Sequence, residues 1–455
     1  MTTYRTPGVY VEEISAFPPS VAQVATAVPA FIGYTETGSG KVERISTLLE
    51  YEALFGRPKP RTFKVTTQSI GEGSLLEMTD ISLDDTDNST DFIMYYCISH
   101  YFQNGGGSCY IISIGDYSAT PDKKDFMDGL TKLEKEDEPT LILLTDAVNV
   151  LLSNDYYTVC QEVLEQCNKL GDRFAIFDVY EQEKATDVLR DKVDNMVGIG
   201  NDYLMYGAAY YPNLLTTLTH HYDEASTVKV NDGSEDKNLI EFKSNQTSLY
   251  NRIKSELNKQ RIILPPSAAV AGVYASVDRD RGVWKAPANV SLSGTIGPIL
   301  KITNEEQDSL NAPNDGSGKS INAIRAFAGK GTLVWGARTL AGDDNEWKYV
   351  SVRRLFNTIE ESTRKASAFA VFEPNNATTW LKVKAMIESY LYGLWEQGAL
   401  MGSTPEAAYF VNVGLGKTMT PDDVLNGRMI VEIGVAAVRP AEFIILRFTH
   451  KLPEA

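Results

Sequence analysis

"PTLILLTDAVNVLLSNDYYTVCQEVLEQCNKLGDRFAIFDVY", residues 139–180, places a periodic segment between two short apolar runs. The runs at 139–147 and 173–180 are apolar almost throughout, which is typical of strands buried on both faces. Residues 154–170 have helical periodicity, with one apolar stripe formed by Val159, Val163, Leu164 and Cys167. The stretch therefore predicts a strand–helix–strand unit of a parallel sheet.

The same alternation extends to both sides of this stretch. Strand patterns occur in "VPAFIGYTE" (28–36), "CYIISIG" (109–115) and "DYLMYGAAYYP" (202–212), and helical patterns occur at 92–106, 122–136 and 185–197. Regular alternation predicts a mainly parallel sheet with helices packed on it. The expected fold class is α/β (mixed α+β) and multidomain, because 455 residues exceed the size of one ordinary core.

Other parts of the chain follow different patterns. Residues 58–92 are polar and turn-rich with short β-prone pieces, which predicts a surface insertion made of loops, and residues 220–250 are polar and predict an exposed surface loop or hairpin. A short helix is expected at 249–259, and the last third of the chain predicts two long helices, 350–371 and 377–398, followed by β-prone runs at 428–438 and 441–450. Helical spacing predicts a core formed by Trp380, Ile387, Leu391, Leu394 and Trp395.

Composition and charge restrict the class of protein. Hydrophobic residues make up 43% and charged residues 23%, as in ordinary globular proteins, and no run of 18 apolar residues predicts a membrane span. The net charge of −17 argues against nucleic-acid binding, which needs clustered lysine and arginine. The first residues lack the basic-then-apolar pattern of a secretory signal, so we expect synthesis in the cytoplasm.

Motifs that would indicate catalysis are incomplete. "GLGKT" (414–418) has Val411 where a phosphate-binding loop needs glycine, so it predicts a loop before a short helix that Thr420 caps. The acidic segment 84–91 lacks the glycine and glutamate of a calcium loop, and alternating charges at 278–281 predict a salt-bridged turn. The four cysteines show no metal-ligand spacing and are expected to be buried thiols. We therefore expect no catalytic residue, metal or cofactor.

Both ends of the chain have strand patterns set off by proline. "YRTPGVYVEEI" (4–14) is followed by Pro18 and Pro19, and "AEFIILRFTH" (441–450) follows Pro440. Each strand completes either this chain's own sheet or a neighbour's sheet by strand addition, and the pattern leaves both open. An α/β enzyme with a site at the strand ends of residues 108–212, and a monomeric structural or binding scaffold, are the alternatives from other classes.

Three segments in this order resemble contractile-tail sheath proteins of myophage tails and phage-like injection particles: "TPGVYVEEI…PPSVAQVATAVPAFIGYTE", "LPPSAAVAGVYASVDRDRGVWKAPANV" and "GVAAVRPAEFIILRF". The stretch that begins "YVSVRRLFNTIEESTRKASAFAVFEPNN" is similar to the family's shared assembly domain. The resemblance covers about the first 40 residues and about 262–452. It implies a structural, non-enzymatic subunit that polymerises helically around an inner tube and contracts to drive the tube through a target envelope.

The resemblance also implies a domain arrangement and contact residues. The implied parts are an N-terminal arm donated to a neighbour (1–24), an inner assembly domain (25–57 and 336–440), an outer α/β insertion (58–335) and a donated C-terminal strand (441–455). The implied inter-subunit strand residues are Tyr4, Val9, Tyr10, Val11, Glu12, Ile14, Phe443, Ile444, Ile445, Leu446, Arg447 and Phe448. The candidates for contact with the tube are Lys417, Asp422, Asp423 and Arg428.

The partners implied by the resemblance are proteins of a contractile particle. They are further copies of this chain, an inner tube protein, baseplate proteins, tail-terminator or cap proteins, and sister sheath isoforms. Neither nucleic acid nor membrane insertion is expected. The chain would be made in the bacterial cytoplasm and become part of a phage tail or phage-like particle, with contraction driven by a metastable lattice.

Overall fold

The computed structural model describes residues 21–69, 76–84, 92–180, 198–232, 235–311, 319–443 and 445. The chain divides into two compact units. The large unit contains the described residues between 25 and 358 together with 439–443 and 445. The small unit contains residues 21–24 and 359–438.

Strands and helices alternate through most of the described chain. The strands are, in chain order, β1 (Pro29–Tyr34), β2 (Val42–Ile45), β3 (Phe63–Ser69), β4 (Leu76–Leu83), β5 (Cys109–Gly115), β6 (Leu141–Leu144), β7 (Phe174–Asp178), β8 (Gly207–Tyr211), β9 (Leu214–Thr219), β10 (Val228–Asn231), β11 (Asp236–Asn238), β12 (Arg261–Leu264), β13 (Val290–Ser291), β14 (Thr295–Pro298), β15 (Ile321–Phe327), β16 (Gly331–Val334), β17 (Tyr409–Val413) and β18 (Val431–Val435). The α-helices are α1 (Leu48–Phe55), α2 (Met94–Gln103), α3 (Lys123–Leu133), α4 (Ala147–Val150), α5 (Ser153–Leu170), α6 (Phe242–Asn245), α7 (Thr247–Leu257), α8 (Ser267–Arg281), α9 (Asn304–Asn311), α10 (Val350–Ala366), α11 (Ala377–Glu396), α12 (Pro405–Ala408) and α13 (Pro421–Leu425).

A sheet of nine described strands forms the centre of the large unit. Its order is β13-β16-β15-β8-β7-β6-β1-β5-β2. The strands from β15 to β5 are parallel to their neighbours, whereas β13, β16 and β2 pair antiparallel at the two margins. The predicted mainly parallel sheet is therefore confirmed. The predicted helix at 185–197 lies outside the described residues.

Side chains of the central strands alternate between two hydrophobic clusters. On one face, Ile32, Ile142 and Phe177 pack with α3 and α5. On the other face, residues such as Phe31 and Ile176 pack with α2 and α8. A parallel sheet covered on both faces needs strands that are apolar throughout, and this is the pattern of the run at 173–180.

Helix α8 packs unusually close to α2 because it carries small residues. An added Cβ at Gly272 would lie 2.6 Å from the backbone carbonyl oxygen of Tyr101. A backbone carbonyl in a packed helix cannot move aside cheaply, so this position admits only glycine without strain. Residues 278–281 end this helix, so the predicted turn is wrong, whereas an ion pair within the segment, between Arg279 and Asp280, is present.

The two segments predicted to lie at the surface contain strands: β3 and β4 lie within 58–92, and β10 and β11 form an antiparallel hairpin within 220–250, as one of the two predicted alternatives. Strands β11, β10, β3 and β4 form a separate sheet of four described strands, in that order, and β10 is parallel to β3. Phe63, Val65 and Val230 pack there against α7. Strands β10 and β3 are far apart in the sequence, and each is too short to bury a face alone, so the local patterns did not predict that the two strands pair in one sheet.

Strands β12, β9 and β14 form a further antiparallel sheet in the large unit. In the small unit, α11 packs on β17, which pairs antiparallel with β18. The core positions Ile387, Leu391 and Leu394 are buried as predicted, whereas Trp380 and Trp395 are half-buried.

The two units differ from the predicted domains. Strand β1 lies inside the large sheet between β6 and β5, which places residues 25–57 in the large unit. Residues 336–358 also belong to the large unit, and the boundary falls within α10. Parallel pairing between distant strands decides this division, and single-segment patterns do not show which strands pair.

Two buried aspartates join strand ends to helix starts in the large unit. Asp146 follows β6 and accepts hydrogen bonds from the backbone N–H groups of Tyr34, Ile93 and Met94. Asp178 ends β7 and accepts bonds from the backbone N–H and the hydroxyl of Ser267, the first residue of α8. Burial raises the pKa of each carboxyl to about 7. Each aspartate thus satisfies N–H groups that a helix start leaves unpaired.

We predict that Gly272→Ala destabilises the folded subunit. The added methyl group meets the Tyr101 carbonyl, and this strain outweighs the helix-propensity gain, so the free energy of unfolding should fall by at least about 1 kcal/mol. Urea denaturation followed by circular dichroism measures the change. Gly107→Ala is the control, because nothing lies within 4 Å of a Cβ added there. Equal stability of the two variants would contradict the close packing of α2 and α8.

We predict that Asp178→Asn removes part of the pH dependence of stability. The raised pKa means that the folded subunit keeps a proton that the unfolded chain releases as the pH rises from about 4 to about 7. This contribution is present below the unfolded pKa and is lost as the pH rises through about 7. Relative to the variant, the wild type should lose on the order of 4 kcal/mol across that window. A difference in urea stability that stays constant from pH 4 to pH 8 would refute the prediction.

Candidate functional site

The strand pair β17–β18 in the small unit leaves backbone groups available for pairing. Its register runs from Tyr409 opposite Val435 to Val413 opposite Val431. Among the described residues, no third strand pairs with either of its outer edges. A sheet of two strands is marginal by itself, and an unpaired edge is a template for strand addition. The pair can therefore accept one strand on each side.

Apolar side chains are exposed on and beside this strand pair. Phe410 is 48% exposed, and Leu415 and Ile430 are also exposed. The Phe410 ring covers Gly434, its partner across the strands, so closely that a Cβ at position 434 would collide with the ring. An aromatic ring laid over a facing glycine shields the open backbone and holds the register of the pair.

The root of the C-terminal segment is held by an ion pair in the large unit. The Glu442 carboxylate accepts from Arg338 Nε at 2.9 Å and from Nη2 at 2.7 Å. The Asn311 amide donates to it at 3.2 Å, and the Tyr349 hydroxyl at 3.3 Å. We call these four residues the Glu442 clamp. Two parallel bonds from one guanidinium fix both the position and the orientation of the carboxylate.

The root of the N-terminal segment is held in a similar way. The Thr26 carbonyl accepts from Arg354 Nη2 and from the Thr140 hydroxyl, both at 2.9 Å. Arg354 is also paired with Asp278 at 2.5 Å and lies over the Tyr274 ring. Both members of this ion pair are almost fully buried. The charge of Asp278 is thus paired with Arg354, a residue that is distant in the sequence.

Most of the predicted arm residues lie outside the described residues. These are Tyr4, Val9, Tyr10, Val11, Glu12, Ile14, Ile444, Leu446, Arg447 and Phe448. Phe443 is 73% exposed and Ile445 is 76% exposed. Residues 441–443 and 445 belong to no strand. Two large apolar side chains are therefore exposed to water immediately after the Glu442 clamp.

The four predicted tube-contact residues have different local roles. Thr420 and Asp423 form a capping box at the start of α13, which lowers the pKa of Asp423 mainly through the Thr420 backbone bond. Arg428 pairs with Asp423 at 3.0 Å. Lys417 and Asp422 are exposed and make no ion pair with a described residue. Leu425, on the same short helix, is 84% exposed.

Sequence reasoning missed Phe372, in the loop between α10 and α11. Its backbone has a φ of +67°, and its side chain is fully exposed. A left-handed backbone disfavours a bulky residue, and exposure leaves the ring without packing. The nearby Asn375 side chain donates to the Arg428 carbonyl, which ties this loop to the segment after α13. No local sequence signal distinguishes such an aromatic residue from one in a core.

The strand ends of the large sheet, where an enzyme site was the alternative, carry Asp146 and Asp178. Both carboxyls are buried and bonded to the groups described above, and neither lines the cavities of about 590 and 230 Å³ in the large unit. Burial likewise lowers the pKa of His100 to about 4, and its Nε2 lies 3.1 Å from the Ser293 carbonyl. Tight packing explains these pKa shifts without a substrate site.

The sequence also led to predictions about the cysteines and about membrane spans. All four cysteines are buried free thiols. Within the described ranges, no helix has the length and apolar character that crossing a membrane requires.

Comparisons with protein families match most of the chain. Residues 119–340 match the phage tail sheath protein central domain, and residues 342–451 match the phage tail sheath C-terminal domain. The tail sheath protein of Vibrio phage KVP40 is 26% identical over 194 residues, covering 42% of this chain and 27% of that protein. The tail sheath protein of Enterobacteria phage T4 is 26% identical over 168 residues, covering 35% and 24%. The chain thus spans about a quarter of the length of these two relatives.

Solved structures match over the full length. The sheath complex of PVC, an extracellular contractile injection system, in its contracted state is 34% identical, with a TM-score of 0.65 and 99% of each chain covered. The anti-feeding prophage helical sheath in its contracted state is 33% identical, with a TM-score of 0.66, covering 99% of this chain and 100% of that one. A chain from the anti-feeding prophage baseplate is 32% identical, with the same TM-score. By these matches, this chain belongs to the contractile tail sheath family.

Proposed function

We propose that this chain is a sheath subunit of a phage tail or phage-like particle, which polymerises helically around an inner tube and contracts. The observation that carries the proposal is the strand pair β17–β18, whose outer edges are unpaired among the described residues. The full-length similarity to two contracted sheath complexes supports it. A subunit that receives strands from its neighbours polymerises through main-chain hydrogen bonds between β-strands.

The donated strands are residues 4–14 and, within the segment 441–450, the residues that follow Glu442, which is itself held in the large unit. One neighbour's arm pairs with β17 or β18, and another neighbour's C-terminal strand pairs with the remaining edge, which gives a four-stranded sheet. Each ladder bond contributes net roughly 0.5 to 1.5 kcal/mol, so a strand with about six bonds holds its neighbour firmly. The exposed Phe443 and Ile445 would become buried on pairing, which adds a hydrophobic contribution.

Contraction would release conformational energy stored during assembly. The extended lattice is metastable, and the subunit bodies rotate to a better-packed lattice. Main-chain pairing suits this movement because the donated strands stay paired while the segments that join them to each body bend. Sheath contraction then drives the inner tube through a target envelope without a catalytic step in this chain.

The segment 417–428 and the Phe372 loop would contact other components. Lys417 and Asp422 offer charges without an ion-pair partner among the described residues, and Leu425 and Phe372 offer exposed apolar groups. We propose that Lys417, Asp422 and Leu425 contact the inner tube protein. Baseplate proteins, terminator or cap proteins and sister isoforms complete the set of partners, and a baseplate is named in one similar structure. Synthesis takes place in the bacterial cytoplasm.

Removal of residues 1–20 should abolish polymers and leave the subunit folded. The full chain should form tubes or helical polymers in negative-stain images, because each arm completes a neighbour's sheet. The control is removal of residues 1–3, which keeps Tyr4 to Ile14 and should keep the polymer. Compact monomers of equal thermal stability for all three chains would sink the strand-donation proposal. Phosphate release with turnover would instead support the enzyme alternative.

Reversal of the charge at Lys417 should weaken binding to the inner tube and leave sheath polymers intact. Lys417→Glu places a carboxylate where the tube offers a negatively charged or polar partner, so co-sedimentation with tubes of the same particle should fall by about tenfold. Lys330→Glu is the matched control, since Lys330 is also exposed but lies in the large unit, on the β15–β16 turn. Equal co-sedimentation of both variants would exclude Lys417 as a tube contact.

A further inference from the structure

We propose that the Glu442 clamp anchors the root of the C-terminal strand to the large unit, so that load from a neighbouring subunit passes to the large unit. The clamp comprises Glu442, Arg338, Asn311 and Tyr349. The inference rests on the proposed function, since it assumes that the segment after Glu442 is donated. It assigns a mechanical role to side chains that no strand-pairing pattern identifies.

The clamp is rigid because its arginine is fixed at both ends. The Arg338 backbone N–H donates to the Asn322 side chain at 2.8 Å, and the Asn322 amide donates back to the Arg338 carbonyl at 2.8 Å. Asn322 belongs to β15 and is fully buried. At the other end of the side chain, Arg338 Nη1 donates to the Asn311 carbonyl at 3.1 Å. The guanidinium is therefore presented to Glu442 in one orientation by the large sheet and by α9.

Partial burial makes this ion pair stronger than an exposed one. The side chains of Arg338 and Glu442 are 9% and 21% exposed, and Glu442, Asn311 and Tyr349 line a cavity of about 590 Å³. Exposed ion pairs contribute little because water and salt screen them, whereas a bidentate pair in a partly dry site is screened less. The remaining access to water keeps the desolvation penalty below that of a fully buried pair.

The Glu442 clamp lies between residues that are hydrogen-bonded within the small unit and the exposed Phe443. Upstream, the Ala436 N–H donates to the Ala408 carbonyl and the Val438 N–H to the Ala399 carbonyl, so the chain is fixed within the small unit. Downstream, Phe443 is already 73% exposed. Without the clamp, a pull on the donated strand would reach Val438 and the β17–β18 pair directly. With the clamp, the force is transferred to the large unit at Glu442.

The N-terminal root shows the same design independently. Arg354, paired with the buried Asp278, holds the Thr26 carbonyl. Thr26 and its partners all lie in the large unit. Each root is thus held in the large unit by an arginine–carboxylate pair, and the two pairs share no residue. At the N-terminal root, residues 21–24, which precede Thr26, belong to the small unit.

The first test measures the mobility of the root. A spin label is attached to the full chain carrying Phe443→Cys, and the four native cysteines are buried and do not compete for the label. Adding Glu442→Ala should shorten the label's rotational correlation time at least about threefold, because the bidentate bonds are lost. Adding Glu346→Ala, at an exposed carboxylate in the large unit, should leave it unchanged. Equal mobility in both variants overturns the anchor.

The second test measures load bearing in the polymer. Polymers of Glu442→Ala and of Glu442→Gln should form, but at a fixed urea concentration they should release at least about tenfold more subunit than wild-type or Glu346→Ala polymers. Unfolding of dispersed subunits, followed by circular dichroism, separates loss of the anchor from a folding defect. Equal release from all polymers overturns the load-bearing role.

The two proposals fail in different ways. A wild-type chain that forms no polymer refutes the proposed function, whatever the label reports. A wild-type chain that polymerises, together with clamp variants that match the control in both tests, refutes only the anchor.

Discussion

The pairing of backbone N–H and C=O groups is the constraint on which this structure depends. In the large sheet, the parallel strands from β15 to β5 have hydrogen-bonded neighbours on both sides, and helices cover both faces. The pair β17–β18 satisfies only its inner edges among the described residues. Unpaired edges are costly in isolation and useful in a polymer. The large unit thus contains a sheet whose central strands are paired on both sides, whereas the β17–β18 sheet of the small unit has no central strand among the described residues, and strand donation would supply one neighbour to each of its strands.

Local patterns predicted much of the fold. The apolar runs at 139–147 and 173–180 became β6 and β7, and the capped start at Thr420 is present as a capping box. Local patterns did not predict which strands from distant segments pair with each other. The strand β3 pairs with β10, from a segment predicted to be a loop or hairpin, and β1 lies inside the sheet of the large unit.

The candidate site shows the same limit. The apolar character of Phe443 and Ile445 was evident from the sequence, and both are exposed. The partners Arg338 and Glu442 lie about a hundred residues apart, so their pairing required the fold. The strain at Phe372 arises from its positive φ angle, and no neighbouring residue in the sequence indicates that angle. Family resemblance, and not spacing, supplied the expectation of donated strands.

The central claim is that neighbouring subunits complete the β17–β18 sheet. A cryo-electron microscopy reconstruction of polymers formed by the full chain tests this most directly. We expect four strands in that sheet, with β17 and β18 flanked by residues 4–14 of one neighbour and 441–450 of another. A polymer in which both outer edges remain unpaired, or in which each chain's own ends cover them, would contradict the account.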